Sequence, residues 1–205
     1  GVDLCNEWPI KLFAPFYRGE GHLMEGDSLD WMQRAIAAFK QHYPALPATF
    51  SWCGSRRGPR GPEAAEAFAF LDFLEPHIWM AQADAARFYK TLDYQYIHFG
   101  NEGYNAVLPK AEHLYRENPE YWLGLLDEHI HWIAEQSKEA DKRLMTTECW
   151  AVVDYKDWPG LDWGWVKELC AHGLQTAIAT GRWDALATSN FCGPQFRGMW
   201  EDVEW

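Results

Sequence analysis

The chain alternates short apolar segments with longer amphipathic ones, and this alternation constrains the fold more than any other feature. The amphipathic segments repeat their apolar residues every three to four positions, as helices do, whereas the apolar segments have the length of short strands. Parallel strands need a crossover between them, usually a helix, so the βαβαβαβαβ order predicts a parallel sheet covered by helices. The predicted strands are Val2–Cys5, Ala48–Trp52, His77–Met80, Leu144–Thr147 and Ala185–Ser189.

Helix ends are indicated by capping residues and by glycine. Asp27 or Ser28 is expected to cap a helix over 28–42, and a helix over 63–74 follows Gly61-Pro62. Asn118 is expected to cap a helix that begins at Pro119 and runs to about Lys142, with an apolar stripe and with His129 and His131 facing solvent. The stripe comprises Trp122, Leu125, Leu126, Ile130 and Ile133.

A last helix is predicted between Asp162, its cap, and Gly181, which closes it. Its predicted buried face comprises Val166, Leu169, Cys170, Gly173, Leu174, Ala177 and Ile178. The stretch 81–117 is predicted to be largely irregular, with a short helix at Ala83–Lys90 and a strand-like run at Gln95–Phe99. A loop of this length above a sheet is expected to influence which substrates enter a site.

Two architectures fit this order, an open doubly wound sheet and a (β/α)8 TIM barrel. The first βα turn carries neither G-x-G-x-x-G nor a P-loop, which removes the usual support for the open sheet and favours the barrel. A barrel of about 250 residues uses roughly 31 for each βα unit, so five strands and four helices make up only part of one. We therefore expect residues 1–205 to form one partial barrel domain, strands four to eight, truncated at both ends.

Two glutamates follow predicted strands. Asn6-Glu7 ends the first strand, and Glu148 follows Leu144–Thr147. Reactive groups of barrels lie at the C-terminal ends of the strands, where both glutamates are placed. Two facing carboxyl groups, one protonated and one ionised, are the minimum equipment for cleaving a glycosidic bond.

These residues and their strand order resemble the retaining glycoside hydrolases of clan A, particularly the cellulase-like proteins of the glycoside hydrolase family 5 type. The resemblance implies that Glu7, in the Asn-Glu pair ending strand four, is the acid/base and that Glu148, ending strand seven, is the nucleophile. It also implies that Asn6 hydrogen-bonds the sugar 2-hydroxyl. We expect Glu7 to be protonated, because burial and the neighbouring negative charge would raise its pKa.

A second Asn-Glu pair, Asn101-Glu102, also follows a strand-like run. Only 46 residues (148 − 102) separate Glu102 from Glu148, which leaves space for one βα unit where three are needed. This spacing favours Glu7 as the acid/base.

Further residues are expected near the pocket: Trp52, His77, Trp79, Trp150 and Asn190. For the tryptophans, stacking on a sugar ring and packing under the barrel rim are both open interpretations. His77 would either orient Glu148 or be a hydrogen-bonded core histidine.

The amino-acid composition limits which classes of binding partner are expected. A net charge of −12 disfavours nucleic acid and anionic membranes and favours a neutral oligo- or polysaccharide. No run has the length of a membrane span, so no membrane segment is expected. Five cysteines, an odd number without a C-x-x-C pair, favour a reducing, cytoplasmic compartment.

Other chemistries have little support. H-E-x-x-H and G-x-S-x-G are absent, so neither a metal site nor a serine nucleophile is predicted, and no cofactor is expected. The main rival is a sugar-binding protein that keeps a cellulase-like barrel without catalysis, since fold does not decide activity. A barrel enzyme with Glu148 as a proton-abstracting base is a further alternative.

Overall fold

The computed structural model describes residues 1–8, 26–53, 62–94, 110–153, 162–187 and 201–205. In chain order its elements are β1 (Val2–Asp3), α1 (Gly26–His42), β2 (Ala48–Thr49), β3 (Ser51–Cys53), α2 (Pro62–Ala67), β4 (Glu75–Trp79), a 3-10 turn (Met80–Gln82), α3 (Ala83–Thr91), α4 (Ala111–Glu117), α5 (Pro119–Glu139), β5 (Leu144–Thr146), β6 (Cys149–Trp150), α6 (Gly164–Thr180) and β7 (Trp183–Leu186). All strand pairs in these ranges are parallel, as the alternation predicts.

Two compact units make up the chain. The first comprises Gly1–His77, His131–Thr146 and Thr180–Leu186. In it β1 pairs with β2, β3 pairs with the first three residues of β4, and β5 pairs with β7. The register sets Asp3 beside Thr49 and Cys53 beside His77.

Aromatic packing forms much of the core of the first unit. Trp8 stacks on Trp31 of α1 with ring centroids 4.5 Å apart, and its edge meets Phe50 at 6.2 Å. Met32 and Ile36 of α1 are buried in the same unit. Burying each such side chain stabilises the fold by about 1.5–3 kcal/mol, so α1 is held mainly by its apolar face.

The second unit comprises Ile78–Ile130, Thr147–Ala179 and Ala187–Trp205. In it β6 pairs with Ile78 and Trp79, the last two residues of β4. Phe88 of α3 is buried between Trp122 of α5, at 5.0 Å, and Trp165 of α6, at 6.2 Å. This aromatic cluster joins three helices of the unit.

The helix predicted over 63–74 ends much earlier, at Ala67. Tertiary hydrogen bonds account for the difference, because the Asp72 carboxylate accepts the Ala48 N–H at 2.7 Å and the Leu74 N–H donates to the Arg143 carbonyl at 2.9 Å. The Leu74 N–H bond and the bridge of Leu74 to Leu144 take this residue out of a helix and into sheet pairing. Sheet pairing therefore overrides helix propensity in this segment.

Two side chains lie on faces opposite to those predicted. His129 is buried rather than solvent-facing, because it falls seven residues after Trp122 and shares the buried side of α5 with Leu126 and Ile133. Ile178, predicted as buried, is 61% exposed, whereas its neighbour Ala177 is buried. The Asn118 cap is confirmed, since its Oδ1 accepts the Tyr121 N–H at 3.3 Å.

The described parts of the stretch 81–117, which are 81–94 and 110–117, are more regular than predicted: α3 matches the predicted short helix, apart from a left-handed backbone at residues 84–86, and α4 is additional. The predicted strand Gln95–Phe99 lies outside the described residues.

Four cysteines of the described residues are free thiols: Cys5, Cys53, Cys149 and Cys170. No helix in the described ranges is both long enough and apolar enough to cross a membrane.

We predict that Gly173→Ala destabilises the protein. A Cβ at residue 173 of α6 would lie 2.7 Å from Cε3 of Trp150. Trp150 is fully buried and its indole N–H donates to the Ala187 carbonyl at 3.0 Å, so the ring has little room to retreat. We expect a loss of about 1–3 kcal/mol in the free energy of unfolding, measured by denaturant titration of the full-length protein.

Gly124→Ala in α5 is the matched control, because no described atom lies within 4 Å of the added Cβ. In the interior of a helix this change should stabilise by about 0.5–1 kcal/mol. Equal stabilisation by both substitutions would contradict the close packing of Trp150 on α6.

Candidate active site

Glu7 lies on an excursion of the backbone at the end of β1. The Leu4 N–H donates to the Thr49 carbonyl, and the next ladder bond joins the Trp8 N–H to the Ser51 carbonyl, both at 2.9 Å. Four residues (8 − 4) on one side therefore span two (51 − 49) on the other. Such bulges occur next to active sites, where they redirect a side chain.

The backbone of Glu7 is left-handed, with φ at 54°. This conformation costs a residue with a Cβ about 1–2 kcal/mol, so other contacts must hold it. The Glu7 N–H donates to Ser51 Oγ at 2.9 Å. On the following residue, the Trp8 indole N–H donates to Ser28 Oγ at 2.8 Å, so that both sides of the turn are fixed.

Ser28 therefore has a different role from the predicted helix cap. α1 begins two residues earlier, at Gly26, and the hydroxyl of Ser28 accepts the Trp8 indole rather than a helix N–H. Asp27 lies in the first turn, where a negative charge is favourable.

The carboxylate of Glu7 contacts His77 of β4. Nδ1 of His77 lies 2.9 Å from Oε1 of Glu7, and the His77 side chain is fully buried while that of Glu7 is 22% exposed. Cys53, beside His77 in the β3–β4 register, also hydrogen-bonds the Glu7 carboxylate. The predicted association of His77 with the site thus takes the form of a direct bond to Glu7.

The expected rise in the pKa of Glu7 is wrong. Burial alone would raise the pKa, but the hydrogen bonds from His77 and Cys53, together with the charge of His77, lower it below the usual glutamate value. The ionised form of Glu7 is therefore the favoured one in this structure. His77 could not be recognised as the cause from sequence, because it lies 70 residues away along the chain.

Glu148 lies in the short break between β5 and β6. The predicted strand over 144–147 ends at Thr146, and β6 begins at Cys149. The carbonyl of Glu148 accepts the Ile78 N–H at 3.2 Å within the second unit, and its side chain is half-buried.

The tryptophans expected near the pocket are packed side chains. Trp52 stacks on Phe68 with centroids 5.5 Å apart, and Trp79 and Trp150 are fully buried. These placements favour packing over stacking on a sugar. Asn6, beside Glu7, is exposed.

Asn190 and the pair Asn101-Glu102 lie outside the described residues.

Sequence reasoning missed three residues around Glu7, namely Asp3, Ser51 and Cys53. A signal was available for two of them, because Asp3 and Ser51 are polar residues within otherwise apolar predicted strands. In strands, alternate residues share a face, so polar residues in such runs mark a side that is not purely core. Glu7 and His77 are also residue types that can ligate a metal ion, but two protein ligands are fewer than the three of a catalytic zinc site.

We predict that Glu7→Gln destabilises the protein by about 1 kcal/mol near neutral pH, as a charge-assisted hydrogen bond to His77 is weakened. Because the pKa of Glu7 is lower in the folded than in the unfolded chain, its stabilisation is complete above the unfolded pKa and is lost as pH falls through the folded pKa. The difference between wild type and variant should therefore shrink on acidification below about pH 4.5.

Denaturant titrations of the full-length protein over this pH range measure the difference. Glu66→Gln, at an exposed position of α2, controls for the removal of one negative charge. A Glu7→Gln difference that stays constant with pH would contradict the lowered pKa.

Comparison with known proteins identifies relatives of the whole chain. Residues 1–205 match the family described as "Cellulase-like: Sugar-binding cellulase-like". The chain is also similar to a crystal structure from Parabacteroides distasonis that is provisionally described as a glycoside hydrolase, with 45% identity and a TM-score of 0.86. The alignment covers 100% of this chain and 54% of that protein, so the chain spans about half its length.

No curated protein matches the sequence. The family match extends over every residue of the chain, and the similar solved structure carries a carbohydrate-related description of its own. The chain therefore belongs to the sugar-binding, cellulase-like family.

Proposed function

We propose that the protein is a retaining glycoside hydrolase of the clan A, family 5 type that acts on β-linked glycans. Glu7 is the acid/base and Glu148 is the nucleophile. Membership of the cellulase-like, sugar-binding family supports a carbohydrate ligand, and the likeness to the Parabacteroides protein supports hydrolysis. The net charge of −12 is in keeping with a neutral ligand rather than a polyanion.

The observation that carries this proposal is the bond between Glu7 and His77. A carboxylate on a strained bulge, 2.9 Å from a buried imidazole, can hold and release a proton at one defined oxygen. The hydrogen bond holds one proton between the imidazole Nδ1 and the carboxylate. That proton is available to a departing glycosidic oxygen.

In the first step, a Glu148 oxygen attacks the anomeric carbon while the leaving oxygen takes the proton from the Glu7–His77 pair. The glycosyl ester on Glu148 is then cleaved by water, whose proton passes to Glu7 as general base. This double displacement retains the anomeric configuration and requires the two carboxyl groups to be about 5–5.5 Å apart.

The backbone hydrogen bond of Glu148 supports its assignment. The Ile78 N–H donates to the Glu148 carbonyl, and Ile78 follows His77 directly in β4. Glu148 also lies where one parallel strand ends, which is the location of reactive groups in barrels.

For the fold, we propose strands four to eight of a (β/α)8 barrel, with residues 1–205 as one partial domain. The exclusively parallel pairing of the described strands and their alternation with helices support this architecture. Coverage of 54% of a similar solved protein is in keeping with a part of a larger catalytic domain.

Asn6 is proposed to hydrogen-bond the sugar 2-hydroxyl, because it is exposed and directly precedes Glu7. Asn190 is proposed as a further contact at the end of the last strand. Trp52, Trp79 and Trp150 are buried, which favours a packing role over stacking on the sugar.

A second candidate is a sugar-binding protein without catalysis. The lowered pKa of Glu7 favours it, since an acid catalyst must be protonated before the bond breaks. An ionised carboxylate would instead accept hydrogen bonds from sugar hydroxyls. The description of the family as sugar-binding also suits this candidate.

We predict different effects of the two substitutions on activity in the full-length protein. Glu148→Gln should abolish turnover of all substrates, and a fluorosugar should label Glu148 as a glycosyl ester. Glu7→Gln should still be glycosylated by substrates with good leaving groups, with deglycosylation limiting and rescued by azide. Turnover rates, mass spectrometry of the labelled peptide and azide titration measure these outcomes.

Glu135→Gln is the control, because this side chain is 67% exposed on α5. It should leave turnover and labelling unchanged. Labelling of another glutamate would contradict the assignment of Glu148. Sugar binding without measurable turnover in the wild type would support the sugar-binding candidate instead.

A further inference from the structure

We infer that Asp3 and Ser51 form a polar clamp that positions Glu7 for proton transfer. This inference rests on the proposed function, in which Glu7 is the acid/base. Neither residue is placed in contact with substrate, so both are positioning residues. The hydrogen bonds that join them to Glu7 and to each other lie within the first unit, among β1, β3 and the bulge that carries Glu7.

The clamp consists of a directed chain of hydrogen bonds. Ser51 Oγ donates to Asp3 Oδ2 at 2.6 Å and accepts the Glu7 N–H at 2.9 Å. A serine hydroxyl has a single proton, and here that proton is used on Asp3. The lone pairs of Ser51 Oγ therefore face the Glu7 N–H, so each hydrogen bond in this series has one fixed donor and one fixed acceptor.

Asp3 is itself held by the backbone on both sides of the bulge. Its Oδ1 accepts the N–H of Ser51 at 3.0 Å and the N–H of Cys5 at 3.1 Å. One carboxylate thereby joins the strand β3 to the first residue of the excursion that ends at Trp8. The Ser51 carbonyl accepts the Trp8 N–H at 2.9 Å and closes the same excursion.

Glu7 needs these hydrogen bonds because it is not a glycine and yet its backbone is left-handed, with φ at 54°. A residue with a Cβ leaves this conformation readily unless its neighbours hold it. Loss of the bond to Ser51 would let the peptide rotate and would move the carboxylate relative to His77. Displacements of about 1 Å at a reacting group lower rates by roughly 100-fold.

The test compares leaving groups in the full-length protein carrying Ser51→Ala. Two aryl β-glycosides of the sugar that the wild type turns over best are used, one with an activated nitrophenol and one with unsubstituted phenol. The activated substrate needs little help from the acid, whereas the phenyl glycoside depends on it. We expect kcat/KM to fall about 10- to 100-fold for the phenyl glycoside and about threefold or less for the activated one.

Ser137→Ala is the matched control. Ser137 is also a fully buried serine, and its Oγ donates to the Lys142 carbonyl at 2.6 Å and accepts Nε–H of Arg182 at 2.9 Å. Both substrates should change by the same factor in this variant, because a purely structural defect lowers the amount of active protein. Asp3→Asn, which keeps the size of the side chain, should shift the ratio in the same direction as Ser51→Ala but less.

Measuring Glu7→Gln alongside these variants separates the acid/base role of Glu7 from the positioning role of the clamp. Strong dependence on the leaving group in Glu7→Gln, with equal loss on both substrates in Ser51→Ala, overturns the clamp and leaves the proposed function intact. An absence of that dependence in Glu7→Gln overturns the role of Glu7 and the clamp with it. If Ser51→Ala does not fold, the ratio in Asp3→Asn decides in the same way.

Discussion

The 2.9 Å hydrogen bond between Nδ1 of His77 and Oε1 of Glu7 determines what the candidate site can do. It connects the bulge after β1 to a strand more than sixty residues later in the chain, and it provides a fully buried imidazole with a polar partner. A buried polar group without a partner would cost free energy, so this bond is also part of the fold. The charge of the carboxylate and the packing of β4 are therefore set by the same contact.

Stability and function make opposite demands at Glu7. Its backbone is left-handed, and the excursion that carries it interrupts the regular hydrogen bonding between the Leu4 bond to β2 and the Trp8 bond to β3. Neighbouring interactions offset this cost: the hydrogen bonds of the Asp3 carboxylate and the Ser51 hydroxyl, and the stacking of the Trp8 indole. Strain that is opposed by so many specific contacts is typical of a residue whose side chain must point in one direction.

Local sequence patterns predict some features of the fold correctly and fail for others. The Asn118 cap, the start of the helix at Pro119 and the parallel pairing of strands follow from short-range signals that the structure confirms. The early end of the helix at Ala67 does not, because it depends on hydrogen bonds that join Asp72 and Leu74 to residues far away along the chain, Ala48 and Arg143.

In the candidate site, the position of Glu7 after a strand could be predicted from sequence, but the direction of its pKa could not. Burial alone suggests a raised pKa, and only the fold reveals that His77 and Cys53 donate to the same carboxylate. The role of the tryptophans likewise becomes clear only from packing, since a buried Trp150 and a sugar-stacking Trp150 cannot be distinguished in the sequence.

The lowered pKa of Glu7 can be reconciled with an acid role if the proton moves when a sugar binds. A bound glycan excludes water from the carboxylate that is still 22% exposed, and this further desolvation disfavours its charged form. The His77 side chain is already fully buried, so the loss of water at the carboxylate alone makes the ion pair less favourable than the neutral pair of carboxylic acid and imidazole. Glu7 would then be ionised in the free protein and protonated in the complex. In a sugar-binding protein without catalysis, the same carboxylate would stay ionised in the complex because sugar hydroxyls would donate to it. The two proposed functions therefore differ in where one proton lies after the sugar has bound.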